Sequence, residues 1–180
     1  MMGRTHALIG ISSLWLLAAI PHTLTPDTLA PLVACAALGA LIPDLDARHA
    51  LATHLSIARI QPLAPIAVIL SRDWGHRGAT HSLIGLSVFA ALMLPLAFLW
   101  HWAAWATLLL GYVSHLAADA CTKSGIPLLY PGRKRYHMLP KNWRFTTASL
   151  AEDALVPIIA LAILFLLFSL MRQIQSPILF

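Results

Sequence analysis

Two histidines bracket the stretch Gly75-His76-Arg77-Gly78-Ala79-Thr80-His81-Ser82, directly ahead of a long apolar run that begins at Leu83. Imidazole is the commonest protein ligand for transition metals, and Gly78 leaves the backbone free to turn both rings toward one point. His115 and Asp119 stand four residues apart in another apolar run, so a helix puts both on one face. That spacing suits two ligands of one metal, and equally a histidine–carboxylate pair that joins helices. Asp44 and Asp46 lie two apart just past Pro43. In an extended stretch their carboxylates point the same way, toward a shared cation or into solvent at a helix end. His6 sits at the start of the first apolar run.

His6, Asp44, Asp46, His76, His81, His115 and Asp119 together offer seven nitrogen and oxygen donors. A catalytic zinc uses about three protein ligands plus water. Seven donors match one or two divalent metals, with a bridging carboxylate if there are two. Such a pair acidifies water and stabilises the attacking and leaving oxygens of a hydrolytic displacement. Imidazole and carboxylate without thiolate suit Zn, Mn or Fe.

The elements that must position these groups are apolar helices. Of the 180 residues, 59% are hydrophobic and only 11% charged, and mean hydropathy is +0.76. Soluble domains carry about 25% charged residues, so this excess needs lipid to face. Five apolar segments stand out: Ala7–Ile20, Thr28–Ile42, Ser82–Leu99, Ala103–Ala118 and Ala154–Met171. They predict an all-α, polytopic membrane bundle of about five transmembrane helices, forming one domain over residues 1–180. The first two segments are short for a span. Arg4 ahead of Ala7–Ile20 has the outline of a signal peptide, but with no clear cleavage site it reads as a retained first helix. Pro62–Leu70 is too short to cross and reads as re-entrant, interfacial or loop.

With five crossings, the long connectors Pro43–His81 and Asp119–Asp153 share a side with the N-terminus. All but one of the 12 Lys and Arg residues fall there, Arg172 being the exception. The positive-inside bias then makes that side cytoplasmic, giving an N-in, C-out topology with long cytoplasmic loops. Trp100, Trp102 and Trp105 cluster at the opposite interface, as an aromatic belt. On this map every helix brings a histidine or carboxylate to the cytoplasmic face, where Glu152 and Asp153 open the fifth. His22, His101 and Asp27 lie on the far side, the two histidines reading as interfacial or loop residues and Asp27 as a turn residue. His49, His54 and His137 read as loop or interfacial. Cys35 and Cys121 have no motif spacing and read as small buried residues.

Arg77 is placed to hold a phosphate oxygen in its guanidinium fork. Thr80 and Lys123 complete the candidate substrate-binding set. Arg133-Lys134-Arg135 attracts anionic headgroups or simply reports topology.

These residues carry a resemblance. His76-Arg77-Gly78-Ala79-Thr80-His81-Ser82, with Leu41-Ile42-Pro43-Asp44-Leu45-Asp46 before it, resembles the bacterial family of inner-membrane metal-dependent hydrolases, the group also described as LexA-binding. Leu110–Asp119 followed by Gly125–Pro131 is similar to that family's next block, Thr5-His6 with Gly10 to its start, and Arg144-Phe145-Thr146 with Ser149 and Glu152 to its last. The blocks keep the family's order across nearly the whole chain. One departure is Thr147-Ala148-Ser149, where related sequences often carry a Gly-Ser pair.

The expectation is therefore a bacterial inner-membrane, multi-pass hydrolase with its site facing the cytoplasm. It would cleave an ester or phosphoester of an amphiphilic substrate, such as a phospholipid or polyprenyl phosphate. Glu152 is a general base or orients a ligand histidine, and Asp46 doubles as ligand and catalytic group. A direct nucleic-acid partner is not expected. The alternative is a membrane scaffold or regulator with a structural metal, binding a cytosolic protein partner through its basic loops. Open coordination separates the two, since a structural site is closed. An ion-transport relay predicts polar residues continuing across the bilayer, and Leu83–Leu99 and Ala154–Leu170 carry almost none.

Overall fold

The computed structural model describes residues 1–46 and 78–175. Among these residues six α-helices run in the order α1 (Gly3–Ser12), α2 (Leu14–Ala18), α3 (Pro26–Leu41), α4 (Leu83–Leu99), α5 (Trp102–Ala120) and α6 (Leu150–Gln175). Among the described residues there is no strand, only two isolated bridges, Thr122 with Phe145 and Ile126 with Tyr136. They brace the loop between α5 and α6.

The helices match the apolar segments except the first, which is interrupted at Ser13. Ser12 and Ser13 turn their hydroxyls back onto the carbonyls of Leu8 and Gly10, competing with the regular helical ladder. Thr25 and Thr28 form a capping box that starts α3, and Asp27 sits in its first turn. His101, read as an interfacial or loop residue, caps α5 by accepting the Ala103 N–H. Both cysteines are free, Cys35 buried and Cys121 partly so.

α5 is the central element, packed against α3, α4 and α1, while α1 in turn packs on α6. The α3–α5 crossing is made of small residues, with Ala36, Ala40, Ala103 and Ala104 almost fully buried. A Cβ on Gly39 would lie 2.1 Å from the Leu108 carbonyl oxygen, and one on Gly111 would lie 2.3 Å from that of Ala36. Close backbone approach of this kind is how apolar helices associate when lipid competes for their larger side chains. The outer faces are apolar: Ile158, Leu161, Leu164 and Phe165 on α6 and Val88 and Leu92 on α4 are exposed.

By length and apolarity α6 is the clear candidate to cross a membrane, over Leu150–Leu170 with mean hydropathy 2.5. Pro26–Leu41 and Leu83–Leu99 are shorter apolar helices.

Ala148, just ahead of α6, has φ of +58°. A side chain there costs roughly 1 kcal/mol, a cost that glycine does not bear. We predict that Ala148→Gly stabilises the protein, by up to ~1 kcal/mol after the added freedom of the unfolded chain is offset. A thermal melt in detergent should show Tm raised by ~2–4 °C.

Candidate metal centre

Each candidate ligand is delivered by a helix end or by the turn beside it. α3 stops where Pro43 begins a 3₁₀ turn over Pro43–Asp46, which points Asp44 inward. A second 3₁₀ turn, Ala79–His81, carries His81 and is closed by Ser82, whose hydroxyl donates to the Ala79 carbonyl and accepts the Gly85 N–H. This N-cap starts α4 immediately after the histidine. His115 and Asp119 lie one turn apart near the end of α5 and are fully buried, as is His6 on α1.

The five converge in two overlapping triads, Asp44–His81–His115 and His6–His115–Asp119, each with its ligand atoms within 4.8 Å of one another. In the first, His81 Nε2 and His115 Nε2 face each other at 3.2 Å. Asp44 Oδ1 lies 3.6 Å from each of them. A tetrahedral zinc with bonds of about 2.0–2.1 Å holds its ligand atoms about 3.3 Å apart, so this triangle has the spacing of a cation's ligands. The outer ring nitrogens account for the orientation. His115 Nδ1 lies 2.7 Å from the Ala40 carbonyl; a carbonyl only accepts, so Nδ1 donates and Nε2 presents its lone pair to the site. His81 Nδ1 pairs with Thr80 Oγ1 at 3.1 Å.

In the second triad, His6 stacks on His115 with ring centroids 3.7 Å apart. Its Nε2 lies 3.3 Å from Asp119 Oδ1, and among the described residues neither ring nitrogen makes a well-formed hydrogen bond. A buried nitrogen without one is costly, and a cation held between His6 and Asp119 would remove part of that cost. Asp119 faces both triads. Its Oδ1 also accepts from the Met1 amine at 2.6 Å, while Oδ2 is 3.6 Å from His81 Nε2. One carboxylate thus turns an oxygen to each triad.

His6, His81, His115 and Asp119 are sealed from solvent, whereas the Asp44 side chain keeps 17% exposure. Burial pushes the Asp44 carboxyl up, but the facing His81 Nε2 outweighs it and holds the carboxyl below the usual range overall. It stays anionic, as a ligand must.

The other sequence-derived candidates fall elsewhere. His76, Arg77 and Pro62–Leu70 lie outside the described residues, as does the side chain of Asp46. Asp44-Leu45-Asp46 is a 3₁₀ turn, so the extended geometry that would align its two carboxylates does not apply. Thr80 touches a ligand histidine and supports it. Lys123 is exposed, with its backbone N–H bonded to the Phe145 carbonyl and its residue in neither triad. Glu152 is fully buried but also outside both triads, its two oxygens accepting the backbone N–H groups of Met2 and Ala148. It clasps the start of α6 to the start of α1, next to the Met1 amine that reaches Asp119, which is a positioning role. Three partners escaped the sequence: the Ala40 carbonyl, the Met1 amine and the Met2 amide. All are backbone groups, and no side-chain pattern marks them.

The sequence profile of the YdjM inner membrane protein family matches residues 1–176. The chain belongs to that family. Its relatives include inner membrane protein YdjM of Escherichia coli (strain K12), 36% identical over 110 residues, which is 59% of this chain and 53% of that protein. The match therefore spans about half the length of that relative. The uncharacterized protein YvsG of Bacillus subtilis (strain 168) is 34% identical over 138 residues, covering 77% of this chain and 78% of YvsG. No solved structure matches. As a member of an inner-membrane family the chain is associated with the lipid bilayer, consistent with the metal-dependent hydrolase group that its motifs resemble.

Proposed function

We propose that this member of the YdjM family is a membrane-bound, divalent-metal-dependent hydrolase acting on an ester or phosphoester of an amphiphilic substrate. One observation carries the reading: two imidazole Nε2 atoms 3.2 Å apart with a carboxylate oxygen 3.6 Å from both, both rings buttressed from behind. The residues that would hold Zn, Mn or Fe are Asp44, His81 and His115, with Asp119 shared toward His6. A bound divalent ion acidifies water and stabilises charge on the oxygens of the scissile group.

The chain's own residues do the rest. The Ala40 carbonyl and Thr80 fix the rings so that their lone pairs converge. Asp44, the partly exposed ligand, marks the side from which substrate and water approach. Glu152 holds the two chain segments that close the site from below. In our reading the whole of 1–180 forms one membrane-embedded unit with five crossings, N-terminus inside, and the centre at the cytoplasmic face of the bacterial inner membrane. The charge asymmetry of the loops supports that orientation.

The test is turnover. Detergent-purified protein, loaded with Zn²⁺ or Mn²⁺, should release phosphate or headgroup from a long-chain phosphoester, and Asp44→Asn should lower the rate by about 100-fold or more. A metal-loaded wild type that releases nothing from esters or phosphoesters overturns the enzyme. A second reading, a scaffold with a structural metal, is favoured by the exposed loop carrying Arg133, Lys134, Arg135 and Lys141 beside Trp143, itself 75% exposed. A cytosolic protein retained by that loop, and lost on reversing its charges, is the result that would favour it.

A further inference from the structure

An apolar cavity of about 350 Å³ opens beside the metal centre. Its upper end is formed by the two turns that carry ligands: Leu45 follows Asp44, and Ala79 and Thr80 precede His81. From there it descends along α4 past Ile84, Gly85 and Val88 to Leu92, with Phe89 and Tyr112 as its back wall. Ile84 to Leu92 is two turns of helix, ~12 Å. Among the described residues the polar side chains lining it are Thr80, Tyr112 and Tyr130, and the Tyr112 hydroxyl is turned onto the Thr80 carbonyl. The mouth is apolar too, with Ile84, Val88 and Leu92 exposed by 49%, 54% and 67%.

The occupant follows from these features together. The rim lies on the outer face of an apolar helix in a bilayer-associated protein, so hydrocarbon is the medium that meets it. The groove is narrow, uncharged and elongated, which fits one aliphatic chain better than a folded partner. At the end lined by Leu45 it adjoins the turn that carries Asp44, the candidate ligand that keeps solvent exposure. A chain seated here therefore leaves its polar end against the open side of the centre.

We propose that the α4–α5 groove seats one acyl or prenyl chain of a membrane lipid and presents that lipid's headgroup ester to the Asp44–His81–His115 triad. The substrate class is then a lipid drawn from the bilayer, a refinement that rests on the hydrolase reading. A second cavity, of about 340 Å³, lies on the other side of α4 against Leu116, Ile126 and Tyr136. It touches neither ligand-bearing turn and has no such relation to the centre.

The test uses the full chain in nanodiscs of phosphatidylethanolamine and phosphatidylglycerol, doped with a phosphatidylglycerol that carries a diazirine in one acyl chain. Labelling by surrounding lipid alone follows exposure, and so favours Phe165, 64% exposed, over Phe89 and Tyr112, 8% and 2% exposed. A seated chain instead labels the Phe89 and Tyr112 peptides at least as strongly as the Phe165 peptide. Val88→Trp, which fills the mouth, should reduce that groove labelling by about fivefold without changing metal content. Leu92→Trp, at the exposed lower end, is the second variant should the first fail to fold. Labelling in proportion to exposure and indifferent to both substitutions overturns the proposal, whether protein fills the groove or it stays bare. Metal is measured on the same samples to separate the two ideas. Bound metal with exposure-following labels removes the groove and leaves the hydrolase. Groove labels without metal in the wild type overturn the hydrolase and, with it, the substrate role.

Discussion

His115→Ala should strip the protein of metal. Elemental mass spectrometry of detergent-purified wild type is expected to find Zn, Mn or Fe near stoichiometry. The variant should bind it about 100-fold or more weakly, because His115 belongs to both triads. Asp119→Ala should do the same, since its oxygens face both triads. His22→Ala, at the opposite end of the bundle, is the control and should leave metal content unchanged. Ligation requires neutral imidazoles, so occupancy should fall as pH is lowered and return as it is raised. No metal in the wild type, even after dialysis against each ion, would leave the cluster as a buried polar contact between helices.

Gly111→Leu should be nearly as damaging, without touching a ligand. The new Cβ would lie 2.3 Å from the Ala36 carbonyl oxygen and 2.8 Å from the Ala40 nitrogen. Both are backbone atoms inside α3, so no rotamer change relieves the clash and the helices must part. Overpacking typically costs ~1–3 kcal/mol, and a clash against rigid backbone belongs at the upper end or above. The consequence for the centre is specific. Ala40 would withdraw from His115 Nδ1, now 2.7 Å away, and the ring would lose the contact that aims it. A thermal melt should therefore show a large loss of stability, and metal content should fall with it. An unchanged melt with full metal would mean that α3 and α5 do not pack as closely as described.

How the fold and the centre could be read from sequence follows from the same residues. Apolar runs marked α3, α4, α5 and α6 to within a few residues, because side chains that avoid water must lie in helices whose backbone groups are satisfied internally. His115 and Asp119 were legible as a pair, since helical geometry alone puts i and i+4 on one face. The interruption at Ser13 was not, because the serine hydroxyls that cause it leave no break in apolarity. Asp44-Leu45-Asp46 was misjudged as extended, because three residues after a proline carry no period from which a 3₁₀ turn can be told.

Sequence by itself determined that this chain has apolar helices, that ten of its 12 Lys and Arg residues fall in two connectors, and that His6, Asp44, His81, His115 and Asp119 stand near helix ends. These are properties of side-chain chemistry and local periodicity, and they need no distant contact. Only the tertiary structure decided that the five meet, which atoms face inward, and where an apolar groove reaches them. His115 and Asp44 are 71 residues apart in the chain yet 3.6 Å apart in space. That juxtaposition depends on Gly39 and Gly111 letting two backbones touch, and on a carbonyl at Ala40 taking one ring proton. Backbone positions of this kind are set by packing across the bundle, which no single stretch of sequence encodes.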